Sequence, residues 1–213
     1  MILDKKIAAK TADYLLQINA IKLNPKNFFV WSSGWKSPIY CDNRVILSHP
    51  KIRSYVCDSL VSQIKKLYGS DITIAGVATG AIAIGAIVAN QLNCPFIYVR
   101  PEPKKHGRKN QIEGCLNKDE KVVVVEDLIS TGKSSLNSVK ALISKKANVL
   151  GMVAIFNYGF ENATIEFKKL NLNFNTLSDY EFLLVEASKR KTIDPSSLDY
   201  LKNWRKSPDR WGN

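Results

Sequence analysis

The chain has 213 residues, 45% of them hydrophobic and 23% charged, a formal charge of +12 and four scattered cysteines. That length accommodates one full domain with its own core, and the absence of a C-x-x-C pair gives no support to a zinc module or a disulfide framework. Asp4, Lys5 and Lys6 interrupt the N-terminus too early for a secretory signal. The longest apolar stretch, residues 81–89, is far short of the roughly 20 residues a membrane span needs. A reducing, cytoplasmic setting is expected. The basic excess fits nucleic acid, an anionic surface or a phosphate-rich small molecule, although lysines such as Lys65-Lys66 and Lys145-Lys146 also read as solvated helix surface.

Apolar spacing at Ile7, Ala8, Leu15 and Ile18 predicts a first helix over residues 4–21. Residues 28–44 are aromatic and turn-rich, punctuated by Gly34 and Pro38. A second helix is expected from about residue 51 to 68, with Gly69 as its stop. Apolar runs follow at 72–78, 96–99, 121–125 and 149–156, and helical patterns at 81–92, 132–146 and 162–170. Near-continuous Val/Ile strands suit a parallel sheet covered on both faces. The strand-helix alternation predicts a doubly wound α/β domain. The tail from about residue 177 reads as helix, a turn at Asp194-Pro195, helix and a loose end.

The stretch "VVVVEDLISTGKSS", Val122 to Ser135, carries the chemistry. It ends like a P-loop, G-x-x-x-x-G-K-S/T, but has Asp127 where the first glycine belongs and Glu126 before it. A P-loop uses that glycine to wrap its backbone around phosphates, and a carboxylate there would face a polyanion. The residues between strand and helix lie where open α/β sheets bind ligands. Backbone N–H groups, hydroxyls and a helix N-terminus can hold a phosphate, while the acids suit sugar hydroxyls or a magnesium ion. A phosphorylated ribose satisfies both halves.

This pattern resembles the 5-phosphoribosyl diphosphate (PRPP) signature of type I phosphoribosyltransferases. "FFVWSSGWKSPIYCDNR", Phe28 to Arg44, and "YVRPEPKKHGRKNQIEG", Tyr98 to Gly114, are similar to the N-terminal segment and the mobile loop of the orotate phosphoribosyltransferase family. "AGVATGAIAIG", Ala75 to Gly85, is similar to its short pyrophosphate loop. The resemblance implies a mainly parallel sheet in one domain over residues 1–213, with a core of about 45–160 and a small hood from about 1–44 and 161–213. It implies transfer of 5-phosphoribose from PRPP to orotate in pyrimidine synthesis, with Mg2+ as cofactor held through PRPP and water, in a cytoplasmic homodimer that shares the loop across subunits. No nucleic acid or membrane partner is expected.

The basic loop, with Arg100, Lys104, Lys105, His106, Arg108 and Lys109, is suited to neutralise a departing pyrophosphate and exclude water. Asp127, Lys104 and His106 are the expected catalytic residues. Arg100, Lys104, His106, Glu126, Asp127, Leu128, Ile129, Ser130, Thr131, Gly132, Lys133 and Ser134 form the expected PRPP site, the two acids on the ribose diol and Thr131 to Ser134 on the 5-phosphate. By resemblance Ser130, Lys36 and Tyr40 meet orotate. The chain departs from many relatives at Ser32, Gly80 and Pro101, and has Asn157-Tyr158 where one branch places an arginine on the orotate carboxylate. A purine phosphoribosyltransferase or a PRPP-sensing nucleic-acid-binding regulator would share the signature, the former without the Phe28 to Arg44 segment.

Overall fold

The computed structural model describes residues 1–31, 34–103 and 110–209. Helix α1 spans Lys5–Gln17 and starts where the Asp4 carboxylate accepts from the Lys6 and Ile7 N–H groups at 2.7 and 3.0 Å. Those are donors that a first helical turn leaves without an intrahelical partner. The helix stops short of residue 21. Four short strands follow: β1 (Ile21–Leu23), β2 (Phe29–Val30), β3 (Lys36–Ser37) and β4 (Ile39–Cys41). β1 pairs antiparallel with β4, and β2 with β3, so the aromatic, turn-rich segment is two small ribbons. A 3-10 turn at Asn43–Ser48 leads into α2, Pro50–Tyr68.

The main sheet is built from β5 (Thr73–Val77), β6 (Phe96–Val99), β7 (Ile112–Glu113), β8 (Lys121–Ile129), β9 (Asn148–Asn157) and β10 (Phe174–Asp179). Its order is β10-β9-β8-β5-β6-β7, parallel throughout except at the edge, where β7 runs antiparallel to β6. Helices α3 (Ile82–Leu92), α4 (Lys133–Ser144), α5 (Glu161–Lys169), α6 (Tyr180–Lys189) and α7 (Leu198–Lys206) complete the chain. Val123, Val125, Val153 and Ile155 pack towards α2, α3 and the terminal segments, while Val122, Val124, Met152 and Ala154 pack under α4 and α5. Both sheet faces are therefore dry, which is why these strands are almost continuously apolar. The fold is the doubly wound α/β architecture expected.

Two boundaries move. β8 does not end at Val125: β9 goes on pairing with it, Glu126 opposite Ala154 and Ile129 opposite Asn157. The acids therefore lie inside a strand rather than after it. β10 occupies residues that include the expected start of the tail helix. It pairs parallel with β9, and the Asp179 carboxylate then caps α6 by accepting from Glu181 and Phe182 N–H, each at 3.0 Å. The sheet thus extends beyond a core drawn to residue 160. The terminal segments meet each other: α1 packs on α6 and β10, and Ser178 Oγ donates to the Ala8 carbonyl at 2.8 Å. Among the described residues, no helix is long and apolar enough to cross a membrane.

Candidate active site

The site forms where β8 gives way to α4 through Ser130, Thr131 and Gly132. Gly132 has φ +78, and a Cβ there would lie 3.0 Å from the Phe167 ring, so both backbone and space call for glycine. No side chain caps α4. Its first-turn N–H groups are left for an external acceptor, and with the positive end of the helix dipole they make an anion site. Thr131, Lys133 and Ser134 are exposed around that end. The Ile129 side chain is fully buried under α4 and α5, and its carbonyl accepts from Tyr158 N–H at 3.0 Å, so it can meet a ligand only through its backbone.

The strand separates the acid pair. Glu126 follows Val122 and Val124 under α4 and is 3% exposed. Ser135 Oγ donates to its Oε2 at 2.7 Å, and Asp127 N–H to its Oε1 at 3.1 Å. Burial, and then the neighbouring Asp127 carboxylate, hold the Glu126 carboxyl well above the usual range. The half-buried Asp127 instead lies against the turn after β5. A Cβ on Gly80 would overlap all three atoms of the Asp127 carboxyl group. The absence of a side chain at Gly80 therefore leaves room for the Asp127 carboxyl group against the loop expected to approach pyrophosphate.

The basic loop hangs from the β6–β7 pair. Arg100 N–H donates to the Gln111 carbonyl at 2.8 Å, and Gln111 Nε2 donates to the Arg100 carbonyl at 3.1 Å. Arg100 Nη1 lies 3.6 Å from Glu113 Oε1. Lys104 and His106 fall outside the described residues.

Beside the phosphate end lies a cleft of about 470 Å³ lined by Val30, Trp31, Trp35, Tyr40, Cys41, Leu128, Ser130, Thr131 and Tyr158. Tyr40 and Ser130 are thus brought together, whereas Lys36 sits exposed on β3 and does not line the cleft. Trp31 is fixed by its Nε1–H donating to the Ile39 carbonyl at 3.1 Å. Tyr158, 2% exposed, stacks on Phe160 at 5.4 Å and meets Trp31 at 5.2 Å and Trp204 at 6.0 Å. Burial pushes its phenol up, so the position that carries arginine in one branch is here a neutral wall. A second groove, about 880 Å³ between α6 and α7, has Arg205 paired with Glu181 at 3.0 Å and lies apart from β8 and its acids.

Sequence reasoning overlooked Trp35, Cys41 and the buried Asn43. In the D-x-R part of the "CDNR" run, Arg44 Nε and Nη2 donate to Asp42 at 2.6 and 2.9 Å. Asn43 between them turns inward, and its Nδ2 donates to the Asp127 carbonyl at 2.6 Å. Only its place inside a motif could have marked it.

Residues 46–182 match the family model for the phosphoribosyl transferase domain. The chain is 49% identical over 210 residues to the orotate phosphoribosyltransferase of Porphyromonas gingivalis, covering 99% of this chain and 98% of that protein. It is 51% identical over 200 residues to that of Phocaeicola vulgatus, with 94% of each covered. Its fold superposes with a TM-score of 0.72 on orotate phosphoribosyltransferase from Aeropyrum pernix, at 28% identity over 84% of this chain and 99% of that one. Leishmania donovani UMP synthase gives a TM-score of 0.75 at 26% identity over 92% of this chain, which spans 42% of that longer protein. On its acid strand, its uncapped helix and these relatives, the chain belongs to the orotate phosphoribosyltransferase family of phosphoribosyl transferases.

Proposed function

We infer that the protein transfers 5-phosphoribose from PRPP to orotate, forming orotidine 5'-phosphate and pyrophosphate. The observation that carries this reading is that Ser130 and Thr131 belong at once to the approach to the uncapped helix and to the wall of the aromatic cleft. A substrate with a 5-phosphate on α4 would therefore place its anomeric carbon towards a flat ring in the cleft. The ring nitrogen of orotate gives up its proton to solvent and bonds to C1 as the bond from C1 to pyrophosphate breaks, through a sugar that gains positive charge. Asp127, at the mouth of the site, would hold the ribose hydroxyls and face that charge. Glu126, turned under α4, would act by fixing the strand behind it.

Asp127 and the substrate's own oxygens form a hard-oxygen set suited to Mg2+, with the ion held largely through PRPP and water. When bound, Mg2+ supplies charge neutralisation on the pyrophosphate. Arg100, Lys104 and His106 would serve the same departing charge, Arg100 from the root of the loop. The enzyme would work in the cytoplasm as a homodimer, with small-molecule substrates rather than nucleic acid. The deciding experiment follows loss of orotate absorbance with PRPP and magnesium, with uracil, adenine, guanine and hypoxanthine in parallel. Orotate consumption alone is expected; turnover of a purine instead would overturn the base assignment and leave the PRPP site standing.

A further inference from the structure

The hood and the acid strand meet at one buried carboxamide. Asn43 is 2% exposed; its Nδ2 donates to the Asp127 carbonyl at 2.6 Å, and its Oδ1 accepts from Cys41 Sγ at 3.4 Å. Cys41 lines the aromatic cleft. Its thiol is pushed well up by burial and then by the Asp127 carboxylate, so it keeps the S–H this bond requires. An amide is one side chain that offers a donor on one branch and an acceptor on the other in a fixed plane. Aspartate would keep the acceptor, lose the donor to the carbonyl and bring a second negative charge towards Asp127.

We propose that Asn43 is a positioning residue that fixes Asp127 relative to the base cleft, through a buried chain from Cys41 to the Asp127 carbonyl. It deepens the phosphoribosyl-transfer reading and rests on it. Asp127 is seated on one side by the absence of a Cβ at Gly80 and held along the strand by Asn43. Without the second restraint the carboxylate can shift against the ribose while both substrates still find their pockets. A misplacement on the order of 1 Å is enough to cost about a hundredfold in rate.

The test begins with wild-type enzyme turning over orotate, which checks the underlying reaction by itself. Asn43→Asp and Asn43→Ala are then expected to fold and to lose about ten- to a hundredfold in kcat. KM for PRPP should change by less than about threefold, because the phosphate site is untouched. Cys41→Ala, which removes the outer bond and also trims the cleft wall that Cys41 lines, should lose less in kcat, with any effect on the wall read separately in KM for orotate. In an Asp127→Asn background, Asn43→Ala should add little, since it acts through the group already removed. Ser178→Ala, which deletes a buried hydrogen bond to the Ala8 carbonyl away from the site, should lower Tm and leave kcat alone.

A kcat within about twofold of wild type in folded Asn43 variants, or losses that add fully to Asp127→Asn, would show a purely structural bond and overturn the proposal. If neither Asn43 variant folds, Cys41→Ala decides: reduced kcat with unchanged Tm and unchanged KM for orotate supports the chain, and wild-type kcat, or a loss confined to KM for orotate, sinks it.

Discussion

The proposed phosphate end of β8 and the aromatic cleft share Ser130 and Thr131 but are made in different ways. The phosphate end is largely backbone: a glycine at φ +78, an uncapped helix and a strand that alternates its side chains. The cleft is made of side chains sent from residues 30–41, from β8 and the turn after it, and from Tyr158 just past β9. The first can be specified by one contiguous run of residues. The second depends on distant segments arriving together, and its walls can change while the phosphate site stays put.

The largest effect expected separates the two acids. Asp127→Asn should reduce turnover by at least about a hundredfold, since it removes the charge facing the sugar, whereas Glu126→Gln should lose less than about tenfold. Equal losses in steady-state assays would end the division of labour between them. Trp204→Ala attacks the cleft's support. Trp204 is 1% exposed and packs on Trp31, Tyr158, Phe160 and Tyr180, and its loss should cost roughly 3–5 kcal/mol in denaturant unfolding. KM for orotate should rise and KM for PRPP should not; the reverse pattern would mean the two halves are not independent.

Gly132→Ala strikes the backbone half. It should cost about 1 kcal/mol or more for the left-handed conformation and raise KM for PRPP, an effect visible by titration. The smallest effect is a pH dependence. Glu126 binds its proton more tightly folded than unfolded, so the stability it contributes is present below the ordinary glutamate value and is lost as pH rises through the raised one. Melting curves from about pH 5 to about pH 8 should fall less steeply for Glu126→Gln than for wild type, with the variant gaining at the upper end. Parallel curves would contradict the raised value of the buried Glu126 carboxyl.

The run Val122 to Val125 announced a buried parallel strand because both its faces are covered, and the fold class followed from that alternation. Its continuation to Ile129 was hidden, since acids and hydroxyls read as loop until β9 is seen to pair with them. β10 escaped for a related reason: "FNTLSD" mixes polar residues that are buried because the N-terminal residues, α1, α2 and α6 lie against it. Within the site, the strand, turn and helix from Val122 to Ser135 were legible as a local motif. The opposite fates of Glu126 and Asp127 were not, because a strand's alternation decides them. Asn43 was beyond reach, as its partner carbonyl lies 84 positions away.

The strand order carries one more consequence. β5 and β6 come from the chain before the basic loop, yet they sit in the sheet between β8 and β7, which come after it. The two portions are interleaved like the fingers of clasped hands, each supplying hydrogen-bonding edges that the other fills. A backbone cut between Pro103 and Asn110 would therefore leave the β5–β6 pair on one piece and the strands on either side of it, β8 and β7, on the other, each piece exposing edges that the other pairs.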